Sequence, residues 1–415
     1  MLDTLERRPV VRDLTDRDPT NDELELLATG RSRIHRTPDD RRVLIPVAGG
    51  GAVGTGAVYA RNLPSAQGFV VDPVAFAMQT QKNMKPYPGM TWPGYGGRVE
   101  QRIDKVGVIG RLLITFIGTL TPAAMTATPT RAWPWNLVRR VKVSANGISN
   151  LFDVEGLDMR ALARVRRKFF NDRESLFGVG TGGGAAQNIY LVWEVPIAFD
   201  ESLMGAVFAQ TEDTELVVTL EAASAAADLF SANAPTLAGS FSITSEFFSI
   251  PQVSARDGVK LLLPDVRQLH GMVSKNDILA GTGDHRVPLM RTGGVLLRAF
   301  QRIDNTTPGS DDPSTVVTSH RFRYGSNVVP FDSTGRVRQW EAQTDYGDRI
   351  LPAADVVSGT APFYMVDDFV EAGPLRDVVH LLGVSEPELL NTIATGTTIN
   401  AGAVVHTVQE HMVAG

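Results

Sequence analysis

Between Tyr190 and Pro251 the chain alternates apolar and polar residues three times, with no long helix between the runs. In Tyr190–Ile197, Leu191, Trp193, Val195 and Ile197 share one face, opposite Tyr190, Val192 and Glu194. Leu216, Val218 and Leu220 oppose Glu215, Thr219 and Glu221, and Phe241–Phe247 follows close to the same period. Period two marks a half-buried β-strand, because successive side chains leave opposite faces of the pleat. Without long intervening helices, such runs pair antiparallel and not as a parallel βαβ sheet.

The pattern extends both ways. Val99–Thr121 places Val106, Val108, Leu112, Ile114, Phe116 and Leu120 at even positions, with Lys105, Arg111, Thr115 and Thr119 at odd ones. A ribbon of that length is expected to bend near Gly107 or Gly110. Leu137–Ser144 and Ile148–Val154 flank Asn146-Gly147, a tight hairpin signal. Leu157–Phe170 has helical spacing, with Leu157, Ala161, Val165 and Phe169 on one stripe. Its Arg160, Arg164, Arg166, Arg167 and Lys168 could hold phosphate, but a solvated or intersubunit ion-pair face is the commoner use of such a cluster. Past Pro251, strands are expected at Val259–Leu263, Gly294–Ile303, Val316–Tyr324, Val328–Phe331, Pro362–Asp367, Arg376–Leu382 and Ala403–His411. Gly271–Gly283 reads as loop, Glu386–Thr392 as a short helix, and Arg336–Thr344 as strand or short helix. Short strands at this spacing indicate β-sandwiches.

A chain of 415 residues is too long for one ordinary core, so two domains are expected. Three segments follow: an N-terminal arm over 1–42, a first sandwich with a leading extended segment over 43–250, and a second sandwich over 251–415. The arm mixes charges, with one short helix expected at Asn21–Ala28 capped by Asn21, and should be ordered by docking. Its first thirty residues lack an apolar h-region, and no stretch approaches about 18 consecutive apolar residues. Neither signal peptide nor transmembrane helix is expected, and synthesis is placed in the cytoplasm. Net charge of −6 disfavours coating nucleic acid by bulk charge. The absence of cysteine excludes disulfides, thiolate metal sites and a cysteine nucleophile.

The chief decoy is Gly49–Gly56, where Gly49, Gly51 and Gly54 match G-x-G-x-x-G and Asp72 stands near the ribose-binding distance. Only about two helical turns fit before Pro64, against roughly 10 residues for a crossover helix. Pro46 interrupts the preceding strand, and no parallel sheet follows, so a glycine loop is the better reading. Gly178–Gly184 lacks the helix and Lys-Ser/Thr pair of a phosphate loop. Pro73–Gly97 reads as an extended segment packing over a neighbour.

No catalytic constellation rises above background. The histidines are His35, His270, His285, His320, His380, His406 and His411, none at HxxxH or HExxH spacing. His406 and His411, five apart on a strand, leave opposite faces. Asp284-His285 and Asp367-Asp368 could serve a metal from separate loops, but exposed turn residues are the commoner reading. Glu212/Asp213 and Asp311/Asp312 lie in polar turns. No catalytic, cofactor-binding or metal residue is assigned and no cofactor is expected.

Three features carry a family resemblance: the run Tyr190–Ile197, the loop through Phe208-Ala209-Gln210 and Thr214, and the strands Leu216–Leu220 and Ser240–Pro251. Together with Arg102–Thr121 and Arg139–Gly156, they resemble the double jelly-roll major capsid proteins of tailless, internal-membrane-containing icosahedral bacteriophages of the tectivirus and corticovirus kind. The resemblance covers residues 95–251 well. The second half matches in length, strand density and a late short helix. It implies an all-β chain, with a few short helices, of two tandem eight-stranded jelly rolls plus the arm. It also implies a non-enzymatic virion protein that trimerises into pseudo-hexagonal capsomers and builds an icosahedral shell. Its implied partners are its own copies, penton and minor capsid proteins, and an internal membrane met by the arm, without sequence-specific nucleic acid. Two other readings stay open. One is a carbohydrate-binding or carbohydrate-processing β-sandwich protein with Trp92, Tyr95, Trp133 and Trp135 as stacking residues. The other is a dinucleotide-dependent enzyme built on Gly49–Gly54.

Overall fold

The computed structural model describes residues 12–13, 32–36, 42–46, 69–130, 132–145, 148–166, 183–200, 202–210, 215–255, 258–266, 268–290, 294–305, 313–324, 328–346, 364–370, 378–381 and 386–414. The chain divides into two compact units, Met1–Ala60 and Arg61–Gly415. The smaller holds an antiparallel sheet in which Arg42–Pro46 lies between Arg12–Asp13 and Ser32–Arg36. The expected helix at Asn21–Ala28 and the glycines of Gly49–Gly56 lie outside the described residues.

Among the described residues, the larger unit shows sixteen principal strands. The first eight are β1 (Lys82–Pro86), β2 (Arg98–Ile103), β3 (Val108–Thr121), β4 (Val138–Ala145), β5 (Ile148–Val154), β6 (Gln187–Pro196), β7 (Leu216–Ala222) and β8 (Thr236–Phe248). The second eight are β9 (Gln268–Ile278), β10 (Gly283–Pro288), β11 (Val295–Asp304), β12 (Val317–Tyr324), β13 (Val328–Ser333), β14 (Met365–Asp368), β15 (Glu388–Ile393) and β16 (Val404–Ala414). The principal helices are α1 (Pro73–Gln79), α2 (Gly156–Arg166) and α3 (Gly335–Tyr346).

The first half forms two sheets, β6-β3-β8-β1 and β2-β7-β4-β5. The second half repeats both orders with every strand number raised by eight: β14-β11-β16-β9 and β10-β15-β12-β13. In each half the first strand pairs with the eighth, the second with the seventh, the third with the sixth and the fourth with the fifth, all antiparallel. A long hairpin folded over itself in this way is a jelly roll. The two rolls are joined edge to edge, because β5 runs parallel to β9 with Phe152 opposite Met272 and Asp153 opposite Val273. One sheet therefore runs β14-β11-β16-β9-β5-β4-β7-β2 through both halves.

The alternation read from sequence positions the first core. Leu112, Ile114, Phe116 and Leu120 are buried, while on the other face Thr115 is half-buried and Thr119 exposed. Phe116 stacks against Phe241 at 5.0 Å, Trp92 closes over both, and Trp135 meets Trp193 edge-on at 6.0 Å. The expected bend is real. Gly107 adopts φ +56°, and a Cβ there would collide with the Phe248 carbonyl. At Gly110 the pairing of β3 with β8 skips one residue, a bulge. The three runs that alternate between Tyr190 and Phe248 do not pair with one another. β6 and β8 flank β3 in one sheet, and β7 lies between β2 and β4 in the facing sheet.

Three local expectations are corrected. Gly271–Gly283 is largely strand β9, because it pairs along its length with β16 and its Ser274 and Asn276 find polar partners in the Asp153 carbonyl of β5 and His406 of β16. Glu386–Thr392 is strand β15, held between β10 and β12, where two rows of cross-strand pairing override the helix-forming Glu and Leu residues. Pro73–Gly97 includes α1, which Asp72 caps by accepting the Ala75 N–H at 2.9 Å; Asp72 is thus a helix cap, not a ribose ligand. Arg336–Thr344 resolves as helix α3.

Candidate functional site: the buried seam between the jelly rolls

The sheet β9-β16-β11-β14 is covered on both faces. Its inner face carries the apolar core of the second roll, including Ala299, Ile303 and Val405. Its outer face lies under the first roll, and there charged side chains stand on either side of the buried Phe300 and Val408. α2 begins directly after β5, and Asp158 in its first turn accepts the Glu155 N–H at 3.1 Å, half of a capping box. The same carboxylate accepts from Arg302 on β11, from the Tyr364 hydroxyl at 2.9 Å, and from His406 on β16 at 2.9 Å. Arg302 is wholly buried and also donates to Glu155 at 2.6 Å, to Asp304 at 2.9 Å and to the Tyr364 hydroxyl at 2.8 Å. Burial alone would raise the Asp158 carboxyl; the charges of His406 and Arg302 outweigh it and hold it well below the usual carboxylate range.

A second cluster repeats the design. Glu410 on β16 accepts from Arg298 on β11 and from His270 on β9, each at 2.9 Å. Arg298 also donates to Asp368 at 2.8 Å. Nδ1 of His270 lies 2.8 Å from the Pro196 carbonyl of β6, which can only accept, so that nitrogen carries a proton. Burial would raise the Glu410 carboxyl too, and Arg298 and His270 hold it well below the usual range. Beside this cluster Phe199 and Met204 of the first roll pack on Leu297, Val370 and Met412 of the second.

The seam therefore joins the rolls by two charged, hydrogen-bonded clusters with the apolar Phe300 and Val408 between them and a further apolar patch at one side. Glu155, Asp158 and His406 stand close enough to share a metal ion. The Arg302 guanidinium already lies against both carboxylates and supplies the positive charge, so these residues do not fit a metal centre. An open cleft of about 760 Å³ adjoins the seam, but its Arg111, Arg298 and Lys82 are bound up in ion pairs with carboxylates.

No residue of this seam stands out in the sequence as a site residue. His406 and His411 do leave opposite faces of β16, yet both are buried. Asp367 and Asp368 are not exposed turn residues: they sit on β14, bonded to His320 and Arg298. Asp284 accepts the Thr392 hydroxyl at 2.6 Å, and His285 bonds the Gly281 carbonyl at 2.9 Å. Of the basic cluster on α2, Arg160 stacks over Trp135 at 4.1 Å and Arg166 bonds the carbonyls of Ala198 and Phe199, so neither is a solvated phosphate ligand. The side chains of Arg164, Arg167 and Lys168, with Glu212/Asp213 and Asp311/Asp312, lie outside the described residues. Trp133 and Trp135 are core residues, 1% and 5% exposed, and do not form a sugar-stacking platform.

No family model and no curated protein matches the sequence. Solved structures do match. The STIV MCP superposes with a TM-score of 0.58 at 16% identity, over 80% of this chain and 97% of that one. A chain of the Sulfolobus Turreted Icosahedral Virus structure gives 0.59 at 16% identity, over 80% and 91%. PBCV-1 VP54 gives 0.53 at 10% identity, over 80% and 94%. The chain has the double jelly-roll fold. At these identities the likeness is one of fold, and it matches the repeated strand order found within the chain.

Proposed function

We propose that this chain is a major capsid protein, a structural and non-catalytic subunit that trimerises into pseudo-hexagonal capsomers and tiles an icosahedral shell. The observation that carries the reading is the strand order repeated by eight, with the two rolls fixed side by side through β5 and β9. A subunit with two like halves presents six similar units when three copies close a ring, which suits sixfold-looking positions in a lattice. The shared fold with the STIV MCP and PBCV-1 VP54 supports it. The buried setting of Trp133 and Trp135 argues against the carbohydrate reading.

In this proposal residues 1–42 act as an arm reaching neighbouring capsomers or an internal membrane, residues 43–250 hold a leading segment and the first roll, residues 251–415 hold the second roll, and penton and minor capsid proteins complete the shell. The location is the virion, after synthesis in the host cytoplasm. No helix among the described residues is long and apolar enough to cross a membrane. Native mass measurement of the purified protein should give three times the 44.9 kDa chain mass. Deleting residues 1–42 should leave that trimer intact and abolish closed shells. A monomer at all concentrations would refute the reading.

A further inference from the structure

The two rolls repeat more than their strand order. α2 starts at Gly156, two residues after β5 ends, and α3 starts at Gly335, two residues after β13 ends. α2 lies on β4 and β6, and α3 lies on their counterparts β12 and β14. The outer sheets repeat as well. Pairing of β3 with β8 skips Gly110 and resumes at Arg111 opposite Glu246. Pairing of β11 with β16 skips Leu297 and resumes at Arg298 opposite Glu410. Each arginine binds the glutamate across from it, at 2.9 Å in both rolls. Counting along the strands from these anchors, Thr115 corresponds to Arg302 and Ser242 to His406. Counting from the helix starts, Val337 corresponds to Asp158.

Within the chain, α2 lays Asp158 on Arg302 and His406. The corresponding surfaces of α3 and of the β6-β3-β8-β1 sheet remain open to solvent. Val337 is 44% exposed and Trp340, one turn along the same face, is 63% exposed. On the sheet, Ile117 is 57% exposed, with Tyr190 on one side and Ser240 on the other; Val192, Thr115 and Ser242 form the next row. We infer that α3 of one copy docks on this sheet face of a second copy, repeating between chains the contact that α2 makes within one. The inference rests on the proposed capsomer.

The chemistry changes on both sides together. At the internal contact an acid meets an arginine and a histidine. At the external one Val337 replaces the acid while Thr115 and Ser242 replace the two bases, and their hydroxyls satisfy each other at 3.2 Å. At the corresponding positions uncharged side chains thus meet uncharged ones, and the Arg111 guanidinium further along the sheet is already paired with Glu194 and Glu246. Trp340 supplies the large aromatic anchor typical of such contacts.

The chain has no cysteine, so the pair can be tested directly. Thr115→Cys and Val337→Cys are introduced together and singly, and the native oligomer is treated with a short bis-maleimide. The double variant should give covalent species up to the trimer on a denaturing gel, and each single variant should stay uncrosslinked. Trp340→Ala should weaken association at least tenfold with an unchanged circular dichroism spectrum. Three results overturn the inference: an oligomer whose double variant does not crosslink, single variants that crosslink as well as the double, or Trp340→Ala without effect on association. With a native trimer still present, each leaves the capsid reading standing. A protein that never associates removes both.

Discussion

Replacing Arg302 with alanine should cost the fold about 3–5 kcal/mol, the usual cost of removing one partner from a buried ion cluster. The guanidinium is fully buried and binds Glu155, Asp158 and Asp304, so its loss strands three carboxylates at the seam. Arg302→Lys should recover only part, because an ammonium cannot reproduce a planar fork of five donors. Arg302→Met combined with Asp158→Leu should cost less than the sum of the two single changes, since removing opposite charges together leaves less charge unpaired. The effect should fall on the second roll and its attachment to the first. Chemical denaturation of the five variants, the two single changes included, measures all of this. A loss under about 1 kcal/mol for Arg302→Ala would mean that water, and not Arg302, satisfies the seam carboxylates.

Acid should unfold the chain in two overlapping stages. Burial, then the nearby charge of His270, depresses the His411 imidazole from its ordinary 6.5 to about 4. His411 is therefore neutral in the fold and takes up a proton more readily when unfolded. Its contribution is complete above pH 6.5 and is lost as pH falls toward 4, amounting to roughly 3 kcal/mol. Asp158 and Glu410, both held below their ordinary values, add losses at still lower pH, once the unfolded chain begins to protonate them. His320 has the opposite sign. Burial alone would lower it, but Asp367 at 2.9 Å and Asn391 raise it, so its contribution is full below about 6.5 and is lost as pH climbs through the raised value. Stability should peak between these limits and fall more steeply on the acid side. His411→Gln should flatten the decline between pH 6.5 and 4. A wild-type curve already flat there would show that water reaches the ring.

The sheet content was legible because half-buried strands write their faces into the sequence: Leu112 through Leu120, Leu191 through Ile197, and Leu216 through Leu220 all face the core as their spacing requires. The seam was not legible, for a physical reason. Ala403–His411 shows itself as a strand but not what it faces, while β9, buried on both faces from Leu269 to Val273, shows no clean alternation and reads as loop although it spans eleven residues. Asp158, Arg302, His406 and Glu410 are far apart in the chain and look like ordinary surface residues; only the fold brings them together. The repeat of strand order was hidden for a related reason. Equivalent positions such as Thr115 and Arg302 have diverged in chemistry because one faces outward and the other lies under the first roll.

Electron microscopy of the concentrated, purified protein tests the central claim most directly. The account expects capsomers of hexagonal outline, each built from three chains with two jelly-roll lobes apiece, associating edge to edge into curved or closed sheets. Single two-lobed particles that never associate at any concentration or salt would contradict it.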